Sequence, residues 1–286
     1  MLKLEQTQHT GTFKARGAFN RILSALERGE IDPEVGIVAA SGGNAGLAYA
    51  YAADRVGVPA TVFVPGTAPA AKVARLRACG ATVIARGTEY ADAVEAAMEH
   101  VGRTRGVFCH AYDQLEVVAG AGTLGLELLD QVDRRGHVID TVVVAVGGGG
   151  LMGGIATALA GRANVVGVEP VGAATLHEAL ARGGPVDVPV SGIAADALGA
   201  RRLGEIAWQA ARDAGVRSVL VDDGAIIEAR RALWDRYRLV VEHGAAAAVA
   251  ALSSGAYQPS QGERIAVVLC GANTDPSDLI DTQPAH

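Results

Sequence analysis

Residues 146–154 read Val146-Gly147-Gly148-Gly149-Gly150-Leu151-Met152-Gly153-Gly154. An apolar, β-branched run, Thr141 to Val146, leads into this stretch and reads as a buried strand. An Ala-rich segment, Leu151 to Ala160, follows and reads as a helix. A turn that only reverses the chain does not need four glycines in a row. Each glycine costs backbone entropy; its use is to allow positive φ or a close approach of backbone to a ligand. Backbone N–H groups converging at a helix N-terminus form an anion site, and the helix dipole favours phosphate there. The stretch is therefore read as a phosphate cup built from the amides of Gly147, Gly148, Gly149 and Gly150. The plainer alternative is a close-packed turn beside a small-residue packing face. The loop alone does not say whose phosphate it holds.

The chain has 286 residues, enough for one large domain or two lobes with a sizeable core. Its formal charge is -6 and it has no long basic run, which argues against nucleic acid as a partner. Cys79, Cys109 and Cys270 are scattered without C-x-x-C spacing. That pattern suits a reduced, cytoplasmic protein without a disulfide framework or zinc site. The histidines are dispersed, and none pairs with another at metal-ligand spacing on a helix. No signal peptide precedes the first polar residues. Thr141 to Gly161 carries no charge and is long enough to cross a bilayer. Its glycine run and strand-like start instead indicate a buried strand-loop-helix, and no membrane partner is expected.

Further periodic segments alternate along the chain. Leu2 to Glu5 reads as a short strand, and a turn at Thr10-Gly11 opens a helix to about Glu27. Lys14 lies in the first turn of that helix, beside Phe13. A lysine is usually a solvated surface group, but cations suit the other end of the helix dipole. Partial desolvation there lowers a lysine pKa from about 10.4, the condition for a Schiff-base lysine. Strand Gly36 to Ala40 leads into Ser41-Gly42-Gly43-Asn44-Ala45-Gly46, a second glycine-rich turn, and a helix from Leu47. Ser41 or Asn44 could simply cap that helix, but the flanking glycines favour a ligand loop. Strands Ala60 to Val64, Thr82 to Ala85 and Val107 to His110 follow, with helices between them. Past the glycine run come strands Val165 to Val168 and Ser218 to Val221, then Ile265 to Leu269, ending at Cys270-Gly271-Ala272-Asn273. This alternation predicts an α/β fold with mostly parallel twisted sheets and helices on both faces. Two series, divided near Leu128, predict two lobes with a cleft between them.

Four motifs, in order, resemble the serine/threonine dehydratases, which are fold-type II pyridoxal-phosphate enzymes. Gly11-Thr12-Phe13-Lys14-Ala15-Arg16-Gly17-Ala18 resembles the family's Schiff-base segment, with Lys14 at the lysine position. Ser41 to Gly46 resembles its substrate-carboxylate loop, and Gly147 to Gly150 with Leu151 its phosphate loop. Leu269-Cys270-Gly271-Ala272-Asn273 resembles the segment that contacts the pyridine nitrogen. The resemblance implies pyridoxal 5'-phosphate as cofactor and Lys14 as the catalytic residue. It places Phe13 beside the cofactor ring, Asn44 on its 3-hydroxyl and Cys270 at its nitrogen. It places Ser41, Gly43 and Asn44 on the substrate carboxylate. It also implies a large cofactor-binding domain, 1–31 with 119–286, a small domain, 32–118, and a homodimer. The expected reaction is β-elimination of water from L-serine or L-threonine, giving a 2-oxo acid and ammonia.

The departures from the family bear on reaction type. A thiol at Cys270 is a weak donor, which disfavours a long-lived carbanion. Related racemases carry a serine where this chain has Gly42, and histidine is common where it has Ala45. Animal-type serine dehydratases share that alanine, and a cysteine at the Cys270 position occurs among them. The racemases' metal site keeps one acid here, Asp196, with Gly192 near the place of the other, so no metal is expected. Glu242-His243-Gly244 replaces a Glu-Pro-Ser/Ala segment. The family's usual N-terminal lead and the C-terminal regulatory domain of biosynthetic threonine deaminases have no counterpart in these residues. The alternatives are a serine or hydroxyaspartate racemase or dehydratase, and a non-catalytic phosphate-binding paralogue.

Overall fold

The structure is a computed structural model that describes residues 1–280. In chain order its first elements are β1 (Leu2–Lys3), α1 (Lys14–Glu27), β2 (Ile37–Ala40), α2 (Asn44–Val56), β3 (Ala60–Val64), α3 (Ala70–Ala78), β4 (Thr82–Ala85), α4 (Tyr90–Thr104) and β5 (Val107–Cys109). Then follow α5 (Leu115–Asp133), β6 (Thr141–Ala145), α6 (Gly150–Leu159), β7 (Asn164–Pro170), α7 (Thr175–Arg182), α8 (Ala195–Leu198) and α9 (Glu205–Asp213). The last are β8 (Arg217–Val221), α10 (Asp223–Tyr237), α11 (His243–Ser253), β9 (Ile265–Val268) and α12 (Ser277–Ile280).

The strands form a five-stranded sheet, β1-β9-β6-β7-β8, and a four-stranded sheet, β4-β3-β2-β5. Every pairing in both sheets is parallel. Parallel sheets are covered on both faces, so their strands read as continuous apolar runs rather than alternating ones. β6 (Thr-Val-Val-Val-Ala) and β2 (Ile-Val-Ala-Ala) are buried at every position for this reason. The fold is α/β, as the alternation predicts. The span Thr141 to Gly161 divides between β6 and α6, and among the described residues no helix is long and apolar enough to cross a membrane.

Several boundaries differ from the sequence reading, for local reasons. The N-terminal strand covers only Leu2–Lys3, because Glu5–Thr7 winds into a 3-10 turn. α2 starts at Asn44 rather than Leu47, so the end of the second glycine-rich motif is the first helical turn. Glycine has poor helix propensity, which hides this start in the sequence. Gly46 is nonetheless needed there: a Cβ on it would lie 1.9 Å from the Ser41 carbonyl oxygen. β5 ends at Cys109, leaving His110 in the following turn. The short helices α8 and α12 have no periodic signal long enough to read.

α5 packs against α1 on one side and α6 on the other through glycines. A Cβ on Gly120 would lie 2.5 Å from the Arg16 carbonyl oxygen. A Cβ on Gly154 would lie 2.4 Å from the Val118 carbonyl oxygen and 2.6 Å from the Gly122 nitrogen. These helices therefore meet backbone to backbone, and α6 is held rigidly behind its glycine-rich N-terminus. Backbone cannot yield as a side-chain tip can, so Gly154→Val should destabilise the fold by about 1–3 kcal/mol. Urea denaturation checks this; an unchanged midpoint would mean that α5 and α6 can separate without cost.

Candidate active site

The end of β9 and the segment before α1 are tied together. Phe13 N–H donates to Cys270 O at 3.0 Å, Ala272 N–H donates to Gly11 O at 2.9 Å, and Thr12 pairs with Gly271 as an antiparallel bridge. This zipper sets the start of α1 against the strand end, so Lys14 and Cys270 become neighbours across the whole length of the chain. Thr10 is held at φ 63°, a conformation that a β-branched residue rarely adopts. Its carbonyl oxygen accepts from Asn273 Nδ2 at 2.8 Å, which clamps the bend. Strain of this kind is concentrated at functional sites. Nothing in a threonine signals it in the sequence.

Lys14 opens α1, as its place in the sequence predicts. The residue keeps some surface exposed, but its amine is enclosed; Nζ donates to Ala111 O at 2.7 Å and lies 5.0 Å from the Phe13 ring centroid. Burial lowers its pKa from 10.5 to about 8, against the opposing pull of Cys270 and Glu242. Lys14, Phe13, Ala111, Tyr112 and Gly150 line one cavity, so the lysine and the glycine loop share a space. Cys270 is buried, and burial pushes its thiol well above its ordinary pKa, so it is a neutral group beside Lys14.

The glycine loop is both uncapped by any side chain and tightly packed. Gly149 is the N-cap of α6 at φ 84°, with no side-chain cap hydrogen bond. The first N–H groups of a helix have no partner within it, so the Gly150 and Leu151 amides are offered at the dipole's positive end. The same loop is packed tightly. A Cβ on Gly148 would lie 2.4 Å from the Tyr112 ring, one on Gly149 2.6 Å from Ala207 Cβ, and one on Gly147 3.0 Å from Leu198 Cα. The loop is also pinned from behind, because Thr175 Oγ1 donates to Gly147 O at 2.5 Å and Gly204 N–H to Gly148 O at 3.0 Å. Glu169, fully buried at the end of β7, accepts from the Leu176 and His177 amides and so anchors the start of α7. Burial raises its pKa to about 7.

Across the cleft, Gly43 is the N-cap of α2, again without a side-chain cap. Ser41 Oγ accepts from Gly43 N–H at 3.2 Å. Asn44 does not cap the helix. Its Nδ2 donates to both oxygens of Glu242, at 3.1 and 3.0 Å, and its Oδ1 accepts from Asn273 Nδ2 at 2.9 Å. Asn273 Oδ1 in turn accepts from Arg75 at 2.6 Å. Gly42, Gly43, Asn44, Lys72, Arg75, Asp196, Glu242 and Asn273 line this cleft. Sequence reasoning singled out neither Glu242 nor Arg75 as a site residue. Their contacts join positions 198 apart, and only the fold reveals them. A Cβ on Gly42 would meet Val64 at 3.6 Å, which is ordinary contact, so no crowding explains this glycine. Among the described residues no cluster of three or more His, Cys, Asp or Glu could hold a metal ion. His243 opens α11 and faces Asp278 at 4.0 Å.

Glu242 is buried as the N-cap residue of α11, and burial raises its pKa from 4.5 to about 7. The folded protein thus keeps a proton that the unfolded chain releases between those values. Stability should fall as pH rises through that window. Glu242→Gln keeps an acceptor for Asn44 without the charge. Thermal unfolding of the cofactor-free variant should lose less between pH 5 and pH 8 than the parent; parallel profiles would contradict the assignment.

The chain matches the family described as pyridoxal-phosphate dependent enzyme over residues 1–271. It is 39% identical over 278 residues to the phenylserine dehydratase of Ralstonia pickettii, covering 96% of this chain and 82% of that protein. Its structure resembles the processed form of threonine deaminase isoform 2 from Solanum lycopersicum, with TM-score 0.89, 31% identity, and 98% and 80% of the two chains covered. It also resembles maize serine racemase, with TM-score 0.87, 32% identity, and 98% and 85% covered. An enclosed, pKa-lowered lysine sharing a cavity with a glycine-rich helix N-terminus fits pyridoxal 5'-phosphate, an aldehyde with a phosphate tail. The chain belongs to the pyridoxal-phosphate dependent enzymes, among the fold-type II serine/threonine dehydratases, and its cofactor is pyridoxal 5'-phosphate.

Proposed function

We propose that the protein removes water from a β-hydroxy-α-amino acid of the L-serine/L-threonine type, and that the released enamine then takes up water to give the 2-oxo acid and ammonia. The observation that carries this reading is the enclosed Lys14 amine, which shares a cavity with Gly150 of the glycine loop and is influenced by the Cys270 thiol. Lys14 would hold the cofactor aldehyde, the amides of Gly147 to Gly150 and Leu151 its phosphate, Phe13 and Asn44 its ring, and Cys270 its nitrogen. Bound pyridoxal phosphate supplies an electron sink at the substrate α-carbon. Lys14 Nζ, with a pKa of about 8, is neutral in an appreciable fraction near pH 7 and can take the α-proton. Ser41, the Gly43 amide that now donates to its Oγ, and the Asn44 amide, at the N-terminus of α2, would receive the substrate carboxylate. The neutral Cys270 thiol places no charge at the ring nitrogen, which favours prompt loss of the β-hydroxyl as water.

Racemisation is the second reading, since a serine racemase is among the similar structures. It needs a proton delivered from the face opposite Lys14, and Gly42 offers no side chain for that role. Division into 1–31 with 119–286 and 32–118, assembly as a homodimer and a cytoplasmic location belong to the same proposal. The two separate sheets support the division.

A panel of L-serine, L-threonine, phenylserine and 3-hydroxyaspartate, with 2-oxo acid release read beside chiral chromatography of the recovered amino acid, tests the reaction. Release of 2-oxo acid from L-serine or L-threonine with negligible D-amino acid is expected, and borohydride reduction should fix the cofactor on Lys14. D-serine forming as fast as pyruvate would overturn the choice of reaction. Labelling at Lys3 or Lys72 would overturn the choice of lysine.

A further inference from the structure

Residues 110–113 form the turn between β5 and α5, and they touch three parts of the site. Ala111 O is the acceptor for Lys14 Nζ. The Tyr112 ring lies against Gly148, and a Cβ on Gly150 would sit 2.8 Å from Tyr112 O. Asp113 accepts from the Glu205 and Ile206 amides at 3.1 and 3.2 Å, capping α9, whose Ala207 packs under Gly149. A small change in this turn would therefore reach the lysine and the glycine loop together.

One side chain holds the turn. His110 Nδ1 accepts from Tyr112 N–H at 3.2 Å and from Asp113 N–H at 2.9 Å. Its backbone is fixed on both sides, because His110 N–H donates to Gln114 Oε1 at 2.9 Å and Tyr49 OH donates to His110 O at 2.8 Å. A ring nitrogen that accepts hydrogen bonds carries no proton, so the ring is neutral with its hydrogen on Nε2. Protonating Nδ1 would point an N–H at two backbone N–H groups and break both bonds.

We propose that His110 is a positioning residue whose neutral imidazole folds the 110–113 turn, holding Ala111 O on Lys14 and Tyr112 on the glycine loop. The inference rests on the reading of Lys14 and the glycine loop as the cofactor site. The groups facing the ring are Phe108 and Tyr112 edge-on, the Tyr49 hydroxyl at the His110 backbone, Asp113 and Lys14. Burial lowers the His110 pKa below 6.5; Lys14 adds to this and Asp113 opposes it. With the folded pKa depressed, the stabilising effect is present above the unfolded value and is lost as pH falls through the folded one.

An asparagine Oδ1 can take the place of Nδ1 and accept the same two amides without titrating. The test compares the cofactor-free parent, His110→Asn and His110→Ala by fluorescence titration with pyridoxal phosphate between pH 5 and pH 8. At pH 8 the parent and His110→Asn should bind alike, and His110→Ala at least about tenfold more weakly, the scale of two lost hydrogen bonds. On acidification the parent should lose at least about tenfold more affinity than His110→Asn. Titration of Lys14 and of the cofactor phosphate is common to both proteins and cancels in this comparison. Parallel acid limbs, or full affinity in His110→Ala, would overturn the proposal. Should His110→Ala fail to fold, the parent and His110→Asn decide alone. Cofactor binding is read without substrate, so failure of the dehydration reading leaves this result intact.

Discussion

The structure depends on taking one amine out of water. Among the described residues Lys14 Nζ has one hydrogen-bond acceptor, Ala111 O, and the acidic groups that act on it are the Cys270 thiol and the Glu242 carboxyl, both pushed toward their neutral forms by burial. An ammonium in such surroundings is poorly compensated, which is why its pKa falls to about 8. The arrangement exists because the end of β9 pairs with residues 10–13. Both segments are needed: β9 lies inside the large sheet, and the strained bend at Thr10 turns the chain so that α1 starts at the lysine. Strand, bend and helix start together take the Lys14 amine out of water and lower its pKa.

Two helix N-termini complete the site, and neither is capped by a side chain. Gly149 precedes α6 and Gly43 precedes α2. A serine or aspartate cap would satisfy these amides internally. Glycine leaves both N-termini without a side-chain cap, which is what the proposed phosphate and carboxylate sites require. The price of that openness is offset by packing, since α6 is locked against α5 through Gly154 and Gly122, and the loop is pinned by Thr175 and Gly204. The close packing seen at Gly148 and Gly149, against Tyr112 and Ala207, is compatible with a phosphate cup, because the Gly150 and Leu151 amides stay without a side-chain cap.

Much of this was legible in the sequence. The β-branched runs at 141–146 and 60–64 mark strands buried on both faces, and the motifs at 11–18, 41–46, 147–151 and 269–273 mark loops at the ends of strands or starts of helices. What stayed hidden depends on contacts between distant positions. Glu242 reaches Asn44 across 198 positions, and Asn273 reaches it across 229. Nothing local in Glu242-His243-Gly244 marks a buried carboxyl. His110 looked like the end of a strand because its role lies in two bonds to the backbone just beyond it. The positive φ at Thr10 opposes the residue's own preference, and its carbonyl oxygen accepts from the distant Asn273.

The Lys14 amine is desolvated before any ligand arrives. The direct measurement is competitive labelling of lysines in the cofactor-free protein across pH, with the Lys14 peptide followed by mass spectrometry. A desolvated Lys14 should titrate with a midpoint of about 8, against 10.5 for an ordinary lysine. A midpoint for Lys14 indistinguishable from that of the surface lysine Lys72 would contradict it.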